Sequence, residues 1–360
     1  MHNRFGDRGP FNQNGGLTLV PMPGFEQLAV DLKTAIEGKG KKEDGDETPI
    51  DIAVPSFGLY VNGEPDIRLG KDHVGGHDCV ILTSGPGTYQ MTGQLIYLVG
   101  YLAGRKARRI TIVSGYFPLG RTDKDEGDEV FALPRLLYDC IRAVDQGLLS
   151  RIVCADPHCD QIVMSGQLGR VTPIYLTRRL LTHLIKEART VSERFCIAFP
   201  DDSARRRFKT AVRDVEKELG HRLPRVTASQ DRLSSDDKEL QFINGDLLAL
   251  RDAIVISVDD ETAKGTTQIN AARGFKTEYG AREVWGAVTH GVLCANAPEQ
   301  FALSDCPIDR LYITDTIPVT DRSALRPLLA SGRLRVLSWF DDLTWIIYHH
   351  HWDKKIRGIR

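Results

Sequence analysis

Ala253-Ile-Val-Ile-Ser-Val258 is a short apolar run of buried-strand character that stops at two carboxylates, Asp259 and Asp260. A turn of small residues, Ala263-Lys-Gly-Thr-Thr267, follows, and a helical pattern begins near Gln268 with Ala271, Ala272 and Phe275 on one face. The same alternation runs through most of the chain. Strands are predicted at Cys79–Thr83, Arg109–Val113, Arg151–Ala155, Phe195–Phe199, Arg225–Ala228, Arg282–Val288, Arg310–Thr314 and Arg333–Ser338. Helices are predicted at Gly24–Ile36, Thr92–Leu102, Phe131–Gln146, Thr177–Arg189, Ser203–Glu218 and Gln268–Tyr279. Short apolar strands separated by amphipathic helices specify an α/β fold with parallel sheets covered by helices on both faces. Such sheets bind ligands at the C-terminal ends of their strands. Residues 1–23, rich in Gly, Asn and Pro, read as an extended arm, and residues 38–48 as a solvated loop.

Composition narrows the classes of function. A length of 360 residues implies about two domains. The formal net charge is −1, and the basic clusters Arg105–Arg109 and Arg205–Arg207 lack interleaved aromatics, so neither nucleic acid nor an anionic membrane is an expected partner. Seven cysteines without a C-x-x-C pair point to reduced thiols. No run approaches the ~20 apolar residues of a membrane span, and Met-His-Asn-Arg-Phe-Gly has no apolar signal core, so a cytoplasmic location is expected. His349-His350-His351 beside Trp352 and a basic tail reads as a solvated terminal segment rather than a metal site.

Four strand ends carry chemistry. After Arg109–Val113, Arg121 can clamp a phosphate or be a solvated loop residue. After Arg151–Ala155, His158 between Asp156 and Asp160 suits a metal or a polyphosphate, or a plain surface turn. After Phe195–Phe199, Asp202 or Ser203 can cap a helix that carries Arg205, Arg206 and Arg207, and such a helix start also attracts anions. The fourth is the Asp259/Asp260 loop. Its carboxylates can hold ribose hydroxyls directly or through Mg²⁺, while the turn and helix-start N–H groups face an anion.

The ordered series Asn62-Gly-Glu64, Tyr116-Phe-Pro…Arg121-x-Asp123, Asp156-x-His158-x-x-Gln161-Ile162, Pro200-Asp201, Val258-Asp-Asp260, Val288-Thr-His290-Gly and Thr314-Asp-Thr-Ile-Pro318 resembles the ribose-phosphate pyrophosphokinase family from about residue 55 to 320. The resemblance implies two phosphoribosyltransferase-like domains, at 49–174 and 175–325. They follow an N-terminal arm, helix and loop (1–48), and a C-terminal segment (326–360) packs back on the first domain. It implies a Mg²⁺-dependent enzyme that moves the diphosphate of ATP to the C1 hydroxyl of ribose 5-phosphate. It also implies a homo-oligomer built from dimers, commonly a hexamer. By residue, Tyr60, Asn62 and Glu64 resemble the adenine-binding loop; Arg121 with Asp123 resembles the ATP-phosphate segment. His158 and Asp201 resemble the metal-linked pair. Asp259 and Asp260 resemble the carboxylates on the ribose hydroxyls, with Asp201 and the loop Lys264, Gly265, Thr266 and Thr267 completing the sugar site. Arg232 resembles the catalytic-loop arginine.

The departures cluster at the sugar end. Where the family carries an acid and a Thr, this chain has Ala263 and Lys264. Gly-Gly becomes Ser203-Ala204, and the Lys of Lys-x-Arg becomes Gln230, followed by Asp231 and Arg232. Gly75 stands where an arginine is expected before Gly76. Three functions fit these residues: PRPP synthesis with the lost lysine replaced by Lys264 or Lys238, a diphosphokinase for a larger 5-substituted ribose such as ADP-ribose, and a non-catalytic regulatory relative.

Overall fold

The computed structural model describes residues 14–43, 49–71, 73–124, 131–166, 169–232 and 238–356. They form two compact units: unit 1 contains the chain up to Tyr175 together with the residues from Trp339, and unit 2 spans Leu176–Ser338.

Unit 1 runs β1 (Leu17–Pro21), α1 (Glu26–Glu43), β2 (Ile50–Ile52), β3 (Pro55–Leu59), β4 (Pro65–Leu69), β5 (Asp78–Thr83), α2 (Tyr89–Gly104), β6 (Arg109–Ser114), α3 (Leu133–Val144), β7 (Leu149–Ala155), α4 (Asp160–Ser165) and β8 (Val171–Ile174). Its sheet has the order β2-β1-β5-β6-β7-β8, with every pairing parallel. β5 is buried along its whole length, as a strand covered on both faces must be. Thr88 starts α2 by accepting from the Met91 N–H at 3.1 Å. β3 and β4 form a separate antiparallel hairpin.

Unit 2 runs α5 (Thr177–Val191), β9 (Phe195–Phe199), α6 (Asp202–Leu219), β10 (Arg225–Arg232), β11 (Lys238–Gly245), β12 (Ile254–Thr262), α7 (Thr266–Thr277), β13 (Glu283–Gly291), α8 (Ala297–Ala302), β14 (Arg310–Thr314), α9 (Arg326–Ala330) and β15 (Leu334–Leu337). The sheet order is β11-β10-β9-β12-β13-β14-β15, parallel except for the β10–β11 edge hairpin. Two apolar layers sandwich it. Val255, Val284 and Val288 face Ala271 and Phe275 of α7. On the opposite face Ile256, Val258 and Trp285 meet Leu184 of α5 and Phe208 of α6. The last helix, α10 (Phe340–His351), belongs to unit 1 and packs on α1. No helix of the described residues is long and apolar enough to cross a membrane.

Three readings of the sequence are corrected. Residues 17–21, taken into the arm, form the wholly buried strand β1 between β2 and β5; Gly and Pro flank so short a run that its pattern was hidden. Helix α1 continues past Ile36 to Glu43, into the stretch read as a loop. His349–His351 are not a solvated tail: they close α10, where His350 is 8% and His351 1% exposed. Polar partners on β5 and β6 make that burial tolerable: His350 Nε2 is hydrogen-bonded to Thr111 and His351 Nδ1 to Asp78.

Candidate active site

The acid pair lies where β12 emerges from the centre of the unit 2 sheet. Asp260 is buried to 1% exposure and ion-paired with Arg207 of α6. Its backbone N–H donates to Asp259 Oδ1 at 2.9 Å. Burial, and then the charges of Asp260 and Asp201, push the Asp259 carboxyl well above the usual carboxylate range, and Arg207 only partly offsets them. Asp201 stands at the end of β9, the strand beside β12, and starts α6 by accepting from the Ala204 N–H at 2.8 Å. Parallel pairing of β9 with β12 therefore brings Asp201, Asp259 and Asp260 together at one end of the sheet. Arg207 was not singled out beyond its place in an arginine run. Its one sequence signal is its position next to Phe208, at the margin of the buried face of α6.

The loop beyond the pair ends in an anion-ready turn. Gly265 is the N-cap of α7, with φ +81° and no side-chain capping bond, so the first N–H groups of the helix receive no side-chain acceptor from the cap. Only glycine fits there, since an added Cβ would lie 2.6 Å from Phe301 Cε2 of α8. Lys264 and Thr266 are exposed, and Thr267 is half-buried. The segment after β13 is tied to this loop: Leu293 N–H donates to Thr262 O at 2.9 Å and Cys294 N–H to Ala263 O at 3.1 Å. Arg322 in turn donates to the carbonyls of Gly291, Val292 and Leu293. The Val288–Gly291 and Thr314–Thr316 motifs meet in a buried cluster, with His290 Nδ1 2.9 Å from Thr316 Oγ1 and Thr314 Oγ1 donating to Thr289 O at 2.8 Å. Arg232 ends β10 opposite Lys238, but the side chains of both lie outside the described residues.

In unit 1 the candidates occupy two places. Arg121 and Asp123 follow β6, and His158 follows the neighbouring strand β7. A Cβ on Gly120 would lie 3.7 Å from His158 Cβ, so the two turns touch. The Cys159 thiol is raised chiefly by burial; the carboxylate of Asp123, to which it hydrogen-bonds, adds to the rise, against the lowering effect of the Ile162 N–H. Arg121, Asp123 and His158 thus share one corner of unit 1. Tyr60, Asn62 and Glu64 sit instead on the exposed tip of the β3–β4 hairpin, with Tyr60 N–H donating to Glu64 O at 2.8 Å and Glu64 N–H to Asn62 Oδ1 at 3.2 Å. Tyr60 is 55% exposed, so its ring is free to stack with a planar ligand.

The unit 2 candidates are carboxylates, the hard oxygen donors that Mg²⁺ prefers. The Asp259 carboxyl is pushed up first by burial and then by the charges of Asp260 and Asp201, and a bound cation would offset the charge part.

No family model matches the chain. Its sequence is similar to the ribose-phosphate pyrophosphokinase of Rhodopirellula baltica, 26% identical over 294 residues, which are 78% of this chain and 86% of that one. The enzyme of the same name from Hyphomonas neptunium is 29% identical over 280 residues, covering 77% and 82%. In three dimensions the chain is similar to the phosphoribosylpyrophosphate synthetase of Mycobacterium smegmatis, with a TM-score of 0.71 and 25% identity over 93% of this chain and 98% of that one. The order of motifs, the two parallel-sheet units and these similarities agree: in sequence and in fold the chain is similar to the ribose-phosphate pyrophosphokinases.

Proposed function

We propose that the protein transfers the β,γ-diphosphate of ATP to the C1 hydroxyl of ribose 5-phosphate, giving PRPP and AMP. The observation that carries this reading is the crowded acid group at the end of β12, followed directly by the uncapped start of α7. Asp259 and Asp260 hold the ribose hydroxyls, and the α7 N-terminus with Lys264, Thr266 and Thr267 holds the sugar's phosphate. Arg207 pairs with Asp260 and fixes its direction. Asp201 and the acid pair are the unit 2 residues that would hold Mg²⁺, and the cation would stabilise charge on the transferred group; His158 is the candidate metal-linked residue of unit 1. Arg121 and Asp123 serve the ATP phosphates and Tyr60 the adenine. Arg232 serves the transferred group. The reaction needs positioning and charge neutralisation rather than a covalent nucleophile.

A second acceptor is favoured by one observation: Ala263 and the exposed Lys264 place a methyl and a cation at the mouth of the sugar loop. That suits a ribose whose 5-substituent is larger and more highly charged than one phosphate, as in ADP-ribose. The test is AMP release from Mg²⁺-ATP with ribose 5-phosphate or ADP-ribose, with product masses. AMP and diphosphorylated ribose 5-phosphate support the first acceptor, and turnover only with ADP-ribose supports the second. Absence of AMP with either, or full activity in Asp260→Asn, overturns the assignment and favours a regulatory relative.

A further inference from the structure

The last turn of α10 is locked into unit 1 by polar contacts that the proposed reaction does not use. Asp78, fully buried at the start of β5, accepts from Arg109 through both oxygens, from Nε at 3.0 Å and from Nη2 at 2.6 Å. It is also 2.9 Å from His351 Nδ1; a carboxylate can only accept, so that nitrogen carries the proton. Arg109 reaches on to the His350 carbonyl at 2.8 Å and to Asp353 Oδ1 at 2.7 Å. Asn14 donates to the His351 carbonyl and to Asp353 Oδ2, both at 2.9 Å. His350 Nε2 lies 3.0 Å from Thr111 Oγ1 in the middle of β6. Four segments far apart in sequence, Asn14 just ahead of β1, the starts of β5 and β6, and the end of α10, are therefore tied in one network.

His350 is its sensitive member. The charged groups around it are Arg109 of β6, Asp78 of β5, Arg151 of β7 and Asp353 just beyond α10. Burial, followed by the Arg109 guanidinium, pushes the imidazole down to about 4; Asp78 and Asp353 oppose this and Arg151 adds to it. A proton on His350 would stand beside two guanidiniums at a site only 8% exposed.

We propose that this network is a proton-operated clasp: mild acid, by protonating His350, releases residues 340–356 from unit 1. The sign follows from linkage. Above pH ~6.5 the ring is neutral whether docked or released, so pH has no effect. Below that, the released ring takes up a proton and the docked one does not, so release gains about tenfold per pH unit until the docked ring itself titrates. At Asp78 burial pushes upward, but the bonds from His351 and Arg109 outweigh it and hold the carboxyl below its ordinary value, so Asp78 stays ionised across this range.

The experiment is hydrogen exchange of residues 340–356 in the full chain from pH 7.5 to 5.0, corrected for intrinsic rates. The opening constant is expected to rise about tenfold per pH unit below 6.5. In His350→Gln, whose amide can still bond Thr111 and does not titrate, the rise is expected to be at least tenfold smaller at pH 5. In the unsubstituted protein the His350 ring proton, followed by NMR, is expected to titrate well below 6.5. An opening constant that does not change between pH 7 and 5, the same rise in His350→Gln, or a ring midpoint at or above 6.5 overturns the clasp. The ring titration decides the matter even where the variant fails to fold.

Discussion

Replacing Arg207 by Met is the most direct probe of the acid cluster. Asp260 is 1% exposed, so loss of the guanidinium removes the Arg207 ion pair from a buried carboxylate beside an already crowded neighbour. Breaking a buried pair from one side costs about 3–5 kcal/mol. Two features lower that figure: the Arg207 side chain is 25% exposed, so water reaches its place, and the pair can take up a proton instead. With Asp259 already pushed up, one proton on the pair at neutral pH costs less than the ~4 kcal/mol needed for an ordinary carboxyl three units below pH 7. The expected destabilisation of unit 2 is therefore about 2–3 kcal/mol at pH 7.5. A folded-state carboxyl held above its unfolded value penalises folding more as pH rises, so the loss should shrink by about 1 kcal/mol at pH 5.5. Urea unfolding followed by Trp285, the one tryptophan of unit 2, reads this out. The double variant Arg207→Met/Asp260→Asn should recover at least ~1 kcal/mol, because the amide carries no charge. A loss below ~0.5 kcal/mol, or one equal at both pH values, would refute the reasoning.

Three further outcomes are expected. Gly265→Ala forces a Cβ to 2.6 Å from Phe301 at φ +81°, and should cost about 2–4 kcal/mol and raise the KM for the sugar more than that for ATP; adding Phe301→Ala should return only the clash part. Cys294 is the exposed thiol, while burial pushes those of Cys79, Cys154 and Cys196 up to about 12. A bulky maleimide should therefore label Cys294 first by mass spectrometry and raise the sugar KM several-fold through Ala263, whereas Cys294→Ser should leave it unchanged. Tyr60→Ala, at an exposed hairpin tip, should leave stability within ~0.5 kcal/mol and weaken ATP binding roughly tenfold by calorimetry.

What the sequence disclosed follows from how far apart the interacting residues are. β9, β12 and β13 were legible because each is a continuous apolar run bounded by polar residues, and Asp259 and Asp260 because they sit where such a run stops. β11 was not, because Lys238-Glu-Leu-Gln-Phe-Ile-Asn-Gly245 is an edge strand too polar to show a buried pattern. The β3–β4 hairpin hid similarly, with most of its residues exposed or half-buried. The partner of Asp260 lies 53 residues away, and the partner of His351 lies 273 residues away. No local periodicity reports such pairs. Only the parallel pairing of β9 with β12, and the return of α10 to unit 1, make them neighbours.

Because α10 belongs to unit 1 but follows all of unit 2 in the chain, the two units cannot be completed in the order in which they begin. During synthesis unit 1 waits through residues 176–338, roughly ten to thirty seconds at ordinary elongation rates, with the side of α1 that α10 covers still open to solvent. Unit 2 is continuous and can close as soon as β15 leaves the ribosome. The nascent chain therefore carries a finished second half beside an unfinished first one, and that interval is when chaperone contact or aggregation is most consequential. A premature stop anywhere before residue 340 would make the interval permanent.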